Sequence, residues 1–325
     1  MTKTGALFGL KYPLLQAPIG SIASVELAAA VCNAGGLGSL ALAWSEPELA
    51  KQRIQHLQAQ TSKPFFVNFV LAFAAKALNT ALDCGTPIVT FSWGQPGTLI
   101  KHVHSFNALA GVQVGCTDGA KQALDDGADF IICQGVEAGG HVQSTTPLAQ
   151  LLLEVVELAE DIPVIAAGGI ADAIAINTAL QHGAAAVMLG TRFIATVESN
   201  AHRLYKQALV DAAASDSVYT LCFDGGWPYA PHRVLRNSVL QQWEAAGCPP
   251  TGQRPGENDV LASNANGSLI KRYDDAPPQQ QTSGQILDCC LYAGTGCGVI
   301  ENIPSAAQLI AQLFDQNTAR SVNHQ

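Results

Sequence analysis

Eight short apolar segments recur along the first 200 or so residues, and a segment with helical periodicity follows nearly every one. The segments are continuous in hydrophobicity, as expected of parallel strands that are buried on both faces. Regular alternation of this kind predicts an α/β fold, a (β/α)8 TIM barrel. The predicted strands are Pro13–Gln16, Leu37–Leu40, Phe65–Phe69, Pro87–Phe91, Gly111–Val114, Asp129–Cys133, Pro163–Ala166 and Ala185–Leu189.

An open, doubly wound sheet is the alternative architecture. It is disfavoured because no Gly-x-Gly-x-x-Gly motif follows the first strand. The regular alternation stops near Asn200. We therefore predict that residues 1–200 form the barrel, that residues 286–325 complete it, and that residues 201–285 form an inserted helical and loop subdomain over the barrel mouth. Residues 248–285 are polar and rich in Pro, Gly, Asn and Gln, which predicts loops or small helices over one end of the barrel and not a strand domain.

Composition limits the classes of partner. The chain has 325 residues, of which 48% are hydrophobic and 13% are charged, so a large core is expected. A net charge of -9 argues against nucleic acid and anionic membranes as partners. The nine cysteines include no CxxC pair, which predicts reduced thiols and no metal site. No signal peptide or membrane span is evident, and we expect a cytoplasmic enzyme.

Two glycine-bearing loops follow the last two predicted strands. Gly168-Gly169 follows the seventh strand and Gly190-Thr191 follows the eighth. In a TIM barrel these two loops lie on the same rim and commonly bind phosphate, because backbone N–H groups can approach the ligand where there is no side chain. The alternative is that these glycines only make tight turns.

Three amide side chains lie at or near the ends of predicted buried strands: Asn68, Gln113 and Gln134. Buried amides need hydrogen-bond partners. A flat heteroaromatic ring such as an isoalloxazine would pair with several amides at once. The alternative is that each amide fixes a neighbouring loop backbone.

The loop from Gln134 to His141 is glycine-rich and contains one histidine. His141 has an unperturbed pKa near neutrality, so it could accept a proton from a carbon acid. The alternative is a structural histidine bonded to a loop carbonyl. Glu137 is expected to orient this loop or cap the next helix rather than to react.

At these positions the sequence resembles the nitronate monooxygenase family, also called 2-nitropropane dioxygenase-like. The Glu-Ala-Gly-Gly-His and Gly-Thr-Arg-Phe motifs, in this order, are the specific part of this resemblance, because a barrel alone would not identify the family. It covers residues 10–240, and a weaker match lies near the C-terminus. The matching stretches include Gln16–Ile19, Asn33–Gly38, Val67–Phe69, Gln134–His141, Ala166–Ile170, Leu189–Phe193 and Asp224–Arg233.

The resemblance implies a barrel that binds FMN across its rim, with the FMN phosphate on Gly168-Gly169 and Gly190-Thr191. His141 matches the family's catalytic base, which takes the α-proton of a nitroalkane or assists nitronate binding. With O2, the products would be a carbonyl compound and nitrite. The cofactor-binding residues it implies are Ala17, Pro18, Ile19, Asn68, Gln113, Gln134, Gly139, Gly140, Ala167, Gly168, Gly169, Gly190 and Thr191.

Two sequence departures and two rival functions remain. Ser92-Trp93-Gly94 stands where members of the family often carry His-Phe-Gly, so we expect an altered pocket wall and a changed substrate preference. Gly294-Thr295-Gly296 stands where Gly-Gln is common in the family. FMN-dependent enoyl-acyl carrier or quinone reductases share much of the pattern and use a nicotinamide nucleotide. A flavin-free lyase or isomerase barrel that binds a phosphorylated substrate is a rival from another class. A homodimer is left open.

Overall fold

The computed structural model describes residues 8–315. Eight parallel strands form a ring in the order β1-β9-β8-β6-β5-β4-β3-β2, and a bridge between Leu15 and Leu37 joins the two ends. The TIM-barrel prediction is therefore confirmed. The strands are β1 (Leu14–Gln16), β2 (Gly38–Ala41), β3 (Phe65–Val70), β4 (Ile88–Ser92), β5 (Leu109–Val114), β6 (Phe130–Gln134), the short β7 (Gly140–His141) outside the barrel, β8 (Val164–Ala167) and β9 (Ala186–Leu189).

Helices between the strands surround the barrel. Ser24 caps the first of them, because its hydroxyl accepts a hydrogen bond from the N–H of Leu27 at 2.9 Å. The helices are α1 (Val25–Ala34), α2 (Pro47–Gln60), α3 (Leu78–Asp83), α4 (Thr98–His104), α5 (Thr117–Asp125), α6 (Leu148–Ala159), α7 (Ala173–Gln181), α8 (Thr191–Ile194), α9 (Arg203–Asp211), α10 (Ser238–Ala245) and α11 (Ala306–Phe314).

Bulky side chains fill the barrel interior beneath the rim. The ring of Phe130 lies over Gly111 on the adjacent strand β5, where even a Cβ atom would collide with the ring. The ring of Phe8 packs edge-on against Phe130 at 5.0 Å. Because the interior is packed, a ligand has room only at the rim, above the carboxyl ends of the strands.

The region after residue 200 contains two small antiparallel sheets. One joins β10 (Ser217–Thr220), β11 (His232–Leu235) and β7, and the other joins β12 (Val260–Ser263), β13 (Leu269–Lys271) and β14 (Ser283–Gly284). The expectation that residues 248–285 form loops or small helices and not a strand domain is wrong, because the second sheet lies within them. These strands are short and half-exposed, so their few apolar residues gave little periodic signal.

The chain returns to the barrel at its end. Helix α11 begins at a capping box formed by Ser305 and Gln308, and it packs beside α1. The Glu198 carboxylate also accepts a hydrogen bond from the first N–H of α11, at 2.9 Å from Ala306. No helix among residues 8–315 combines the length and the apolar character needed to cross a lipid bilayer. The division into a barrel and an inserted subdomain remains a prediction.

Candidate active site

A cavity of about 530 Å³ opens at the carboxyl-end rim of the barrel. Its walls come from the loops after the barrel strands and from the region after residue 200, including Trp227, Asp275 and Tyr292. All of the site residues predicted from the sequence line this cavity except Asn68. The structure thus brings together residues from five separate strand ends.

Asn68 has a different position. Its side chain is 5% exposed, and its Nδ2 donates to the carbonyl oxygen of Thr90 at 3.3 Å and to the hydroxyl of Thr90 at 3.0 Å. These bonds link β3 to β4 just below the cavity. The amide of Asn68 therefore fixes the neighbouring strand.

The other two amides fix the loop that carries His141. The N–H of Gln143 donates to Oε1 of Gln134 at 2.9 Å, and Nε2 of Gln134 donates to the carbonyl of His141 at 3.3 Å. Nε2 of Gln113 donates to Oε1 of Gln143 at 2.9 Å. Both glutamines still line the cavity. Their bonds hold the β7 loop against the ends of β5 and β6.

The glycine turn after β8 has a backbone that only glycine adopts easily. Gly168 and Gly169 have φ angles of +119° and +69°. A Cβ on Gly169 would lie 2.9 Å from both Glu137 Cβ and Thr295 Oγ1. Among residues 8–315 no acceptor takes the N–H of Gly169. The turn therefore presents backbone to the cavity.

Gly190 is open towards the same cavity. Its φ is -106°, and a Cβ there would make only ordinary contacts, 3.5 Å from Ala17 Cβ and Ile19 Cγ2. The hydroxyl of Thr191 accepts a hydrogen bond from the N–H of Gly294 at 2.9 Å. The first turn of α8 begins here, so backbone N–H groups without partners inside the helix lie at this edge.

Glu137 has the structural role expected for it. Its carboxylate accepts a hydrogen bond from the N–H of Leu148, the first residue of α6, at 3.0 Å. The carbonyl of Glu137 accepts the N–H of Thr295 at 3.0 Å. The side chain therefore caps α6 and supports the glycine loop.

His141 is positioned by strand pairing across the two parts of the chain. β7 pairs antiparallel with β11, so that His141 lies opposite His232 and Gly140 opposite Arg233. Nε of Arg233 also donates to the carbonyl of Val136 at 3.1 Å. His141 is thus held in place through its backbone and not through a hydrogen bond to its ring.

The His141 imidazole lacks a partner of its own. Its Nε2 is buried and has no hydrogen-bond partner among residues 8–315. Burial, and to a smaller extent the nearby His232, lowers the pKa of His141 from 6.5 to about 3. The imidazole is therefore neutral at physiological pH. The structural-histidine alternative required a ring bonded to a loop carbonyl, and Nε2 has no such partner among residues 8–315.

His232 differs from His141 in having both ring nitrogens engaged. The N–H of Phe223 donates to Nε2 at 3.2 Å, so Nδ1 carries the hydrogen and donates to the carbonyl of Ala230 at 3.0 Å. Burial lowers its pKa as well. His232 is therefore a structural histidine that fixes the loop after β10.

An aromatic wall surrounds His141, and sequence analysis missed most of it. The Trp227 ring lies 4.5 Å from the imidazole, Tyr292 lies at 5.5 Å and Trp93 at 6.2 Å. Phe73 packs against Trp227 at 5.0 Å. Trp93 belongs to the Ser-Trp-Gly departure, so the expected change in the pocket wall lies at the cavity. For the other residues of the aromatic wall, the one indication in the sequence was the Gly-Gly-Trp-Pro turn that contains Trp227.

Comparison with known proteins gives a consistent family. The family model described as nitronate monooxygenase matches residues 2–81 and 72–316. A nitronate monooxygenase of Pseudomonas aeruginosa is 28% identical over 95% of this chain and 97% of its own length. A (3aS,4S,5R,7aS)-5-hydroxy-7a-methyl-1-oxo-octahydro-1H-indene-4-carboxyl-CoA dehydrogenase of Mycobacterium tuberculosis is 35% identical over 74% of this chain and 67% of its own.

Two solved structures resemble the whole chain. FabK from Thermotoga maritima superposes with a TM-score of 0.80 and 28% identity, covering 99% of this chain and 98% of FabK. A nitroalkane oxidase from Streptomyces ansochromogenes superposes with a TM-score of 0.76 and 28% identity, covering 98% and 100%. The family match spans most of the barrel and the cavity-lining loops. The chain belongs to the nitronate monooxygenase family and is a flavin-dependent oxidoreductase.

Proposed function

We propose that the protein oxidises alkyl nitronates or nitroalkanes with O2 to a carbonyl compound and nitrite, using FMN. The observation that carries this proposal is His141, a neutral imidazole in an apolar cavity whose Nε2 has no partner among residues 8–315. His141 lines the cavity, and a neutral imidazole can accept a proton from a bound carbon acid. The family membership supports the same reaction class.

We infer that the flavin is FMN, bound at the rim. The residues present fit this group: the cavity of about 530 Å³ is of ligand size, and the N–H of Gly169 has no acceptor among the described residues. Gly168-Gly169 and Gly190-Thr191 would hold the phosphate through backbone N–H groups. Ala17, Pro18, Ile19, Gln113 and Gln134, with Gly139, Gly140 and Ala167, would enclose the rest. When bound, FMN supplies electron transfer to and from the substrate and O2.

The low pKa of His141 determines how it can act. A neutral imidazole is ready to accept a proton, but its protonated form is costly in an apolar cavity. A nitroalkane that loses its α-proton becomes an anion, and this anion stabilises the imidazolium beside it. Proton transfer is therefore coupled to the charge that develops on the substrate.

Trp227 and Tyr292 contribute by excluding water. Their rings lie 4.5 Å and 5.5 Å from the imidazole and form part of the cavity wall. Loss of water strengthens the interaction between imidazolium and substrate anion.

We expect His141 to stay neutral between about pH 8 and pH 5, because burial lowers its pKa to about 3. Histidine ring resonances in nuclear magnetic resonance spectra would report this, with the His141 signals assigned by their absence in His141→Ala. A titration midpoint for His141 within that range would contradict the buried, neutral state.

We expect His141→Ala to lower kcat/KM for neutral nitroethane by about 10²–10³-fold, since it removes the general base. Turnover of preformed ethyl nitronate should change less than about tenfold, because its α-proton is already gone. Steady-state oxygen consumption with each substrate measures both.

His102→Ala is the matched control, because His102 bonds Asn79 on the barrel exterior and does not line the cavity. It should leave both rates unchanged. Equal loss on nitroethane and nitronate in His141→Ala would remove the assignment of His141 as base.

A flavin reductase is the second candidate, favoured by the superposition on FabK from Thermotoga maritima with a TM-score of 0.80. Under anaerobic conditions we expect NADH to leave the flavin absorbance of this protein unchanged, because the proposed reaction takes its electrons from the nitro compound. Dithionite, which should bleach it, is the control. Bleaching by NADH would favour the reductase, and a colourless protein would favour a flavin-free lyase or isomerase.

A further inference from the structure

Four aromatic side chains connect His141 to the mouth of the cavity, and we call them the aromatic row: Trp44, Phe73, Trp93 and Trp227. The centroid of the Trp227 ring lies 4.5 Å from that of the imidazole and 5.0 Å from that of Phe73. Phe73 in turn lies 5.4 Å from Trp44, and Trp93 lies 4.6 Å from Trp227. All four line the cavity. The aromatic row is therefore one continuous apolar surface that begins at His141.

Trp44 is the outer end of the aromatic row. Its side chain is 59% exposed, whereas the other three tryptophans of the chain are half-buried. It lies in the turn after β2, where the N–H of Ser45 donates to the carbonyl of Leu42 at 3.0 Å. A large apolar ring that is exposed beside a cavity is typical of a ligand-binding groove.

The backbone at Trp93 adopts a conformation that is rare for a bulky residue. Its φ is +56°, in the left-handed region. The following Gly94 packs so closely against Leu71 that a Cβ there would lie 2.7 Å from Cβ of Leu71. Strained positions of this kind persist where the surrounding contacts hold them, and they cluster at ligand-binding sites. The loop after β4 thus keeps a tryptophan in the cavity wall at a cost in backbone strain.

The aromatic row and the glycine turns lie on opposite sides of the rim. Trp44, Phe73 and Trp93 follow β2, β3 and β4, whereas the glycine turns follow β8 and β9. In the strand order of the barrel, β3 is four strands from β8, and β4 is four strands from β9. Four strands is half of an eight-stranded ring. With a phosphate at the glycine turns, the aromatic row is left for the substrate.

We propose that the aromatic row binds an aryl group on the substrate, and that Trp44 is a specificity-determining residue at its outer end. Contacts between aromatic rings are more favourable than burial of the same apolar area alone. This inference rests on the proposed function and names the substrate class of that reaction, which is aryl-substituted nitroalkanes. The nitro-bearing carbon lies at His141, and the aryl group lies towards Trp44.

Steady-state oxygen consumption with 2-phenyl-1-nitroethane and nitroethane tests this preference. A methylene separates the phenyl group from the nitro-bearing carbon, so the α-protons of the two compounds have similar acidity. We expect kcat/KM of the wild type to be at least about tenfold higher for 2-phenyl-1-nitroethane. Trp44→Ala should lower this ratio by about fivefold or more. Trp44→Phe keeps an aromatic ring and should hold the ratio within about twofold.

Tyr229→Ala is the matched control, because Tyr229 is an aromatic residue that is 89% exposed and does not line the cavity. It should leave the ratio within about twofold of the wild type. A wild-type ratio near one, an unchanged ratio in Trp44→Ala, or an equal change in Tyr229→Ala would overturn the proposal. Loss of FMN from Trp44→Ala would also overturn it, because the aromatic row would then hold the flavin and not the substrate.

Isothermal titration of the purified protein with 3-phenylpropanamide separates this proposal from the proposed function. A planar amide replaces the nitro group in this probe, so that the probe binds without being oxidised. Trp44→Ala should raise its Kd by about fivefold or more. A protein that binds the probe through Trp44 but does not oxidise nitroethane upholds the aryl site and contradicts the nitroalkane reaction. A protein that oxidises nitroethane, but does not bind the probe or binds it equally well in Trp44→Ala, gives the reverse result.

Discussion

The pairing of β7 with β11 determines the character of the site. Two residues of the barrel loop, Gly140 and His141, join the small sheet formed by the region after residue 200. This pairing fixes the His141 backbone and leaves its imidazole free of ring hydrogen bonds to the described chain. A histidine bonded through both ring nitrogens, as His232 is, would have no free nitrogen for a substrate. The two parts of the chain are therefore both needed to produce the proposed base.

The cavity is built mainly from backbone and aromatic surface. The barrel side contributes glycine turns after β8 and β9, and the region after residue 200 contributes Trp227 and Tyr292. Charged side chains in contact with these loops are used for structure: Glu137 caps α6, and Arg233 binds the carbonyl of Val136. In such surroundings a small number of ionisable groups has a large effect. This explains why the imidazole of His141 is neutral.

Much of the architecture could be predicted from the sequence, because buried parallel strands appear as continuous apolar segments. The eight barrel strands and the loop with His141 follow from that pattern and from the rule that the carboxyl ends of the strands share one rim. The pattern could not distinguish amides that meet a ligand from amides that fix a loop. Asn68 bonds Thr90 below the cavity, and Nε2 of Gln134 donates to the carbonyl of His141 in β7. The short strands β12 to β14 and the aromatic wall were missed because they depend on contacts distant in sequence, such as Phe73 against Trp227.

The central claim is that the turns after β8 and β9 hold the phosphate of FMN, with the flavin ring beside His141. Flavin content measured after denaturation of the purified protein tests it most directly, using Gly190→Val and the control Gly119→Val. At both glycines an added Cβ atom would make only ordinary contacts, with nearest atoms at 3.5 Å and 3.6 Å, but Gly119 does not line the cavity. The account predicts about one FMN per chain in the wild type and in Gly119→Val, and little or none in a folded Gly190→Val. Full FMN content in Gly190→Val, or no FMN in the wild type, would contradict it.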